Sequence, residues 1–201
     1  MTDYTEVIKH YDLLIDENND PVHDPKPLRD YMDKWDGEGF IDRLSLDKSK
    51  SVLEIGVGTG RLALRTASLC SRFSGIDISI KTIARAKENL SAQTNAEFYC
   101  GDFLAFEFIE TFDVIYSSLT FMHIEDKRKA IKKVATLLNN GGLFVLSTDK
   151  NQDCYIDLGT RRLKVYPDVP EDIKDFISDA GLTLIEHYET EFANIFVSKK
   201  V

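Results

Sequence analysis

Between residues 50 and 150 the chain alternates short apolar runs with longer stretches whose apolar positions fall three or four apart. The runs at 51–55, 73–77, 96–99, 112–117 and 142–148 have the near-continuous apolar character of strands buried on both faces. Between them, helical spacing predicts helices at 60–70, 79–90 and 125–139. Ser79 is placed to cap the second, and Asn139-Asn140-Gly141-Gly142 to stop the third. A last helix near 170–180 starts behind Pro170 and closes at Gly181. Two strand-like segments, 182–189 and 192–199, follow with only two residues between them, a link that favours an antiparallel hairpin. Such alternation predicts a doubly wound α/β sheet.

The ends of the chain read differently. Val7, Ile8, Tyr11, Leu14 and Ile15 are spaced as one face of a helix over 4–15. Residues 18–27 carry three prolines and four Asn or Asp residues and form a loop. Two short helices, about 26–35 and 37–45, precede the first strand. Residues 149–169 read as an insertion holding a small hairpin.

Residues 52–60, Val-Leu-Glu-Ile-Gly-Val-Gly-Thr-Gly, carry most of the chemistry. An apolar strand that breaks into alternating glycines lets backbone approach a ligand closely. Asp77, at the end of the next strand and 17 residues after Gly60, stands where a nucleotide-binding α/β unit places the acid that takes ribose hydroxyls. Gly58-Thr59-Gly60-Arg61-Leu62-Ala63 also satisfies a relaxed dinucleotide pattern, so a nicotinamide-dependent oxidoreductase is one alternative. Glu54 argues against it, because a carboxylate at that strand end repels pyrophosphate. It favours a cation instead, by roughly 4 kcal/mol for a pair at about 4 Å before desolvation is subtracted. S-adenosylmethionine, a ribose-bearing ammonium and sulfonium, fits better.

At this point the chain resembles the class I S-adenosylmethionine-dependent methyltransferases, small-molecule type, whose first motif residues 52–60 match at every position. The resemblance extends to Gly75-Ile-Asp77-Ile78, Cys100-Gly101-Asp102-Phe103, Phe112 to Ser118 and Leu137 to Leu146, in family order over roughly residues 50–150. It implies a single-domain, Rossmann-like, doubly wound, seven-stranded and mostly parallel sheet with an antiparallel last strand. Residues 1–50 would be an N-terminal helical lid of that domain. Residues 51–201 would be its core, with the insertion at 149–169 helping to shape the acceptor site. The resemblance also implies that Glu54 and the loop of Gly56, Gly58 and Gly60 serve the methionine moiety and that Asp77, with Ile78, takes the ribose. Asp102 and Phe103 would recognise adenine, and Ser117 would line the site. S-adenosylhomocysteine would be the product.

Composition narrows the partners. In 201 residues there is room for one domain with a sizeable core. A net charge of −9 argues against nucleic acid and leaves a small-molecule acceptor, methylated at O or N, as the expected partner. No apolar run reaches the roughly 18 residues of a membrane span, and the acidic start lacks the form of a signal peptide, so a cytoplasmic monomer or homodimer is expected. Three cysteines without CxxC spacing read as reduced, mostly buried thiols, and no metal site is expected. The basic run Lys127, Arg128, Lys129, Lys132 and Lys133 reads as the solvated face of its helix.

Methyl transfer needs chiefly alignment in a dry site, which alone supplies roughly 7–11 kcal/mol. Where the acceptor needs a base, His123 and Tyr11 are the candidates, with His10 behind them. Aromatic residues expected near the pocket are Tyr4, Tyr31, Trp35, Phe121, Tyr155 and Tyr166. A catalytically silent S-adenosylmethionine-binding protein is the other alternative.

Overall fold

The computed structural model describes residues 4–157, 159 and 161–201. Residues 1–3 of the expected lid, and Leu158 and Thr160 of the expected hairpin, lie outside the described residues. The segment before the sheet comprises α1 (Thr5–Asp16), α2 (Lys26–Asp36) and a one-turn α3 (Phe40–Arg43). The core then runs β1 (Ser51–Ile55), α4 (Ala63–Thr66), β2 (Arg72–Asp77), α5 (Ile80–Asn89), β3 (Ala96–Cys100) and β4 (Phe112–Ser117). It continues through α6 (Lys127–Leu137), β5 (Leu138–Asp149), the small strands β6 (Tyr155–Asp157) and β7 (Arg162–Lys164), α7 (Pro170–Asp179), β8 (Leu182–Glu189) and β9 (Ala193–Lys200).

Seven strands form one sheet in the order β3-β2-β1-β4-β5-β9-β8. β1 to β5 pair in parallel, and β9, the last strand of the chain, runs antiparallel to both neighbours. Alternate residues of each strand enter different cores. Leu53, Ile115, Phe144 and Phe196 pack with Ile131, Val134, Ile173 and Ile177 of α6 and α7. Val52, Val114, Val145 and Ile195 pack on the opposite face with Phe40, Leu44, Ala63 and Ile83. Both faces are covered, which is why the strands lack a polar side.

Several boundaries differ from the sequence expectation. The helix expected over 60–70 shrinks to Ala63–Thr66 followed by a 3₁₀ turn over Ala67–Leu69. Gly60, at φ +98° and donating to Val57 O at 3.0 Å, still belongs to the turn rather than to the helix. Asn139 to Gly142 do not separate α6 from β5, because the strand begins at Leu138. Asn139 Nδ2 donates to Asp113 Oδ1 at 2.8 Å and presses that segment against β4, with a register shift there. The basic face of α6 is only partly solvated. Lys127 is buried, donating to the carbonyls of Phe121, Ile124 and Tyr166 and pairing with Asp168 at 3.3 Å. Of the cysteines, Cys70 is buried whereas Cys100 and Cys154 are exposed, which corrects the reading of mostly buried thiols.

The N-terminal segment is fastened by polar contacts. Ser79 Oγ caps α5 through Thr82 N at 3.0 Å and donates to Asp12 of α1 at 2.6 Å. Arg161 grips Glu17 through both terminal nitrogens, at 2.9 and 3.0 Å. Asp20, 3% exposed, accepts from Arg85 and Asn89. No helix among the described residues is long and apolar enough to cross a membrane.

Candidate functional site

The chain proceeds outward from β1 to β2 and β3, then returns to add β4 on the other side, so a crevice opens where the strand order reverses. A cavity of about 670 Å³ fills it. That lies within the roughly 300–1,000 Å³ usual for small-molecule sites. Its floor is the loop after β1 and the ends of β2 and β3, and its roof is α1, α2 and the loop between them.

Backbone geometry builds the floor. Gly56 N and Val57 N both donate to Ile76 O, at 2.8 and 3.1 Å, turning the chain across the end of β2. Gly56 sits at φ +74°, and a Cβ there would stand 1.8 Å from Thr120 Oγ1, so a side chain is excluded twice over. Asp77 accepts Gly58 N on Oδ2 and Ser79 N on Oδ1, each at 3.0 Å. It thus joins the glycine loop to the start of α5, and each oxygen retains a lone pair for a ligand hydroxyl. Burial raises its pKa against those two backbone bonds.

Glu54 lies on the wall but is 3% exposed, and Tyr116 OH donates to its Oε2 at 2.8 Å. Burial pushes its pKa up to about 8, with Tyr116 and Arg61 opposing. The expectation of a standing negative charge is corrected accordingly: at neutral pH the free site holds Glu54 mostly protonated. A cation brought beside it would draw that proton off.

On the roof side, Tyr11 of α1 meets His123 at the end of a 3₁₀ turn over Phe121–His123. Tyr11 Oη and His123 Nε2 are 2.7 Å apart, and the rings cross edge to face at 86°. Both residues line the cavity. Burial, with the nearby His10 and Lys127, lowers the His123 pKa to about 4, while burial and the Asp77 charge raise that of the Tyr11 phenol. His123 Nδ1 is buried with no hydrogen-bond partner among the described residues. Leu119, two residues past the end of β4, is also on the wall and left-handed at φ +55°. Backbone strain of that kind gathers at functional sites.

Residues 52–142 match a family model described as a methyltransferase domain. An uncharacterized methyltransferase of Anoxybacillus flavithermus is 35% identical over 151 residues, spanning 72% of this chain and 70% of that protein. Another, from Staphylococcus carnosus, is 30% identical over 173 residues, 77% and 80% of the two chains. The chain belongs to the class I S-adenosylmethionine-dependent methyltransferases. The fold agrees: a crystal structure of magnesium protoporphyrin IX methyltransferase from Synechocystis PCC 6803 with bound SAM superposes with a TM-score of 0.78 at 18% identity. That superposition covers 100% of this chain and 98% of the other.

Within this methyltransferase, Glu54, Gly56, Gly58, Asp77, Ile78, Asp102, Phe103, Tyr11 and His123 are all on the cavity wall. Asp102 also accepts Leu104 N at 2.9 Å, so it shapes its own turn. Gly60 and Ser117 are not on the wall. A Cβ on Gly60 would stand 2.3 Å from Leu90 Cδ1, which makes that glycine a packing contact with the end of α5. Ser117 is wholly buried and donates to Ile55 O at 2.8 Å, tying β4 to β1. Ser118 and Thr120 reach the wall instead. His10 is turned off the wall and accepts Arg161 Nε at 3.1 Å. Of the expected aromatic residues, Tyr4 and Tyr31 line the cavity; Trp35, Phe121, Tyr155 and Tyr166 do not. Sequence reasoning missed Arg61, which follows the third glycine directly, lines the cavity and acts by its charge on Glu54. Among the described residues no group of three or more His, Cys, Asp and Glu is arranged to hold a metal ion.

Proposed function

We propose that the protein transfers the methyl group of S-adenosylmethionine to a hydroxyl of a small, uncharged and largely apolar acceptor. The Tyr11–His123 pair on the cavity wall carries this reading. The floor suits the donor: glycine backbone admits close approach, Glu54 can ionise beside an ammonium, and Asp77 can accept hydroxyls. When bound, the donor supplies an electrophilic methyl on a neutral leaving group, so alignment and exclusion of water are the protein's principal tasks.

The remaining wall supports the acceptor class. Val7, Leu14, Leu28, Met32, Leu119 and Met122 are apolar, and Arg61 is the only Arg or Lys among the described wall residues. The described wall holds no second Arg or Lys beside Arg61 that could receive an anionic acceptor. His123 performs the proton step. With its hydrogen on the buried Nδ1, its Nε2 accepts from Tyr11 Oη, and the phenol takes the acceptor's proton as it passes its own to the imidazole. Its low pKa keeps it neutral and competent down to about pH 5. In this reading residues 1–50 and the insertion at 149–169 select the acceptor, because α1 and α2 supply the roof and Arg161 fastens the insertion to α1.

Incubation with methyl-labelled donor and separate panels of phenols, aliphatic alcohols and amines tests the reading. Label is expected in neutral phenols or alcohols and lost with His123→Ala. Transfer to amines alone, or label retained by a donor that binds without turnover, would refute it.

A further inference from the structure

The wall of the cavity is poor in positive charge, yet the proposed donor ends in a carboxylate as well as an ammonium. Arg61 lines this cavity near enough to Glu54 for its charge to act on that carboxyl. Its side chain is 16% exposed and is claimed by two carboxylates of α2, Nη1 to Asp33 at 3.0 Å and Nη2 to Asp36 at 2.5 Å. These partners are unequal. Asp36 is 1% exposed and accepts from Ser118 Oγ, so its place is fixed. Asp33 is half exposed and also faces Arg65 at 3.6 Å.

Resting on the donor reading above, we infer that Arg61 is the receptor for the donor's carboxylate and that Asp33 occupies that position in its absence. A guanidinium presents more N–H donors than its two aspartate partners use, and it binds carboxylates in a planar fork. Asp36, held by Ser118 through its other oxygen, keeps Oδ2 against the guanidinium as a buried ion pair. Asp33, the exposed partner, is the one that can yield. In the same reading Glu54, which feels the Arg61 charge, takes the ammonium. Because Asp33 and Asp36 belong to α2, occupancy of Arg61 also reports on the seating of the lid.

The test compares S-adenosylhomocysteine with its decarboxylated analogue, which keeps the nucleoside, sulfur and ammonium, by isothermal titration. Wild-type protein should bind the analogue about ten- to a hundredfold more weakly, the range for losing a hydrogen bond to a charged group. Arg61→Met should impose the same loss on S-adenosylhomocysteine and leave the analogue's affinity within about twofold. Since that variant strands the buried Asp36, Asp33→Asn is the independent check. It should tighten S-adenosylhomocysteine by up to about fivefold, as expected for removal of an exposed competitor, and leave the analogue unchanged. Equal affinity of wild-type protein for the two ligands overturns the inference while sparing the donor reading. Binding of neither ligand overturns both.

Discussion

The floor and the roof of the cavity are built by different physics. The floor is local: Gly56, Val57 and Gly58 are fixed by backbone bonds to Ile76 and by Asp77, all within two adjacent strands and one loop. The roof is assembled from pairs far apart in the chain: Tyr11 with His123, Asp12 with Ser79, Glu17 with Arg161. A floor of this kind can hold a constant ligand whatever covers it, whereas a roof of side-chain pairs can be exchanged without disturbing the sheet. Floor substitutions should therefore change affinity for the donor, and roof substitutions should change turnover and acceptor choice.

The largest expected effect separates the two directly. His123→Ala should lower kcat by about 10²- to 10⁴-fold, the usual contribution of a positioned base. S-adenosylhomocysteine affinity should stay within a fewfold, because His123 lies on the roof side. A comparable loss of ligand affinity, read by titration, would mean that roof and floor are one unit.

On the floor, Gly56→Ala should be nearly as severe, but in binding. Its Cβ would strike Thr120 and its backbone would carry the strain of a left-handed residue, roughly 1–2 kcal/mol before the clash. Donor affinity is expected to fall beyond measurement and the melting temperature to drop by several degrees. Asp77→Ala should weaken S-adenosylhomocysteine about ten- to a hundredfold. Retained affinity in either variant would detach the glycine loop from ligand binding.

The same division decides what the sequence could convey. Strand positions, the Ser79 cap and the glycine loop follow from apolar period and short spacing, so β1 and β2 fall within a residue of their expected bounds. The lid helices are likewise visible as periodic segments, but their attachments are not. Nothing near Tyr11 announces His123, 112 residues away, and nothing in a basic run distinguishes the buried Lys127 from its solvated neighbours. The motif misplaces Ser117 and Gly60 for a related reason. A motif gives the order of residues at a strand end, while one step of the pleat decides whether the wall receives Ser117 or Ser118. Arg61 escaped because its meaning depends on Asp33 and Asp36 arriving from a separate helix.

A smaller effect concerns protons. Glu54 has a pKa raised to about 8 in the free fold and an ordinary value near 4.5 when unfolded. The folded state therefore binds more protons than the unfolded state between those values, and the stability associated with this group is lost as pH rises through about 8. A cationic ligand beside Glu54 should lower its pKa and expel up to one proton per site at pH 7. Titrations of S-adenosylhomocysteine in buffers of different ionisation enthalpy should show that release, and Glu54→Gln should abolish it. Proton uptake, or release that survives the substitution, would remove Glu54 from the ammonium's neighbourhood.

The smallest effect is expected where the roof is fastened from outside. Arg161 holds Glu17 in a bidentate pair and His10 through Nε, and His10 in turn lies edge-on to Tyr11 at 5.0 Å. The Glu17 contact is solvent-exposed, so screening keeps its contribution small. Glu17→Gln should change the acceptor KM by less than about fivefold, erase part of its dependence on salt, and leave donor affinity unaltered. Arg161→Met removes both contacts and should act on kcat as well, through the freed His10 and the loosened Tyr11. If the two variants behaved alike, the lid would be held by α1 packing on α5, and Arg161 would have no part in positioning the Tyr11–His123 pair.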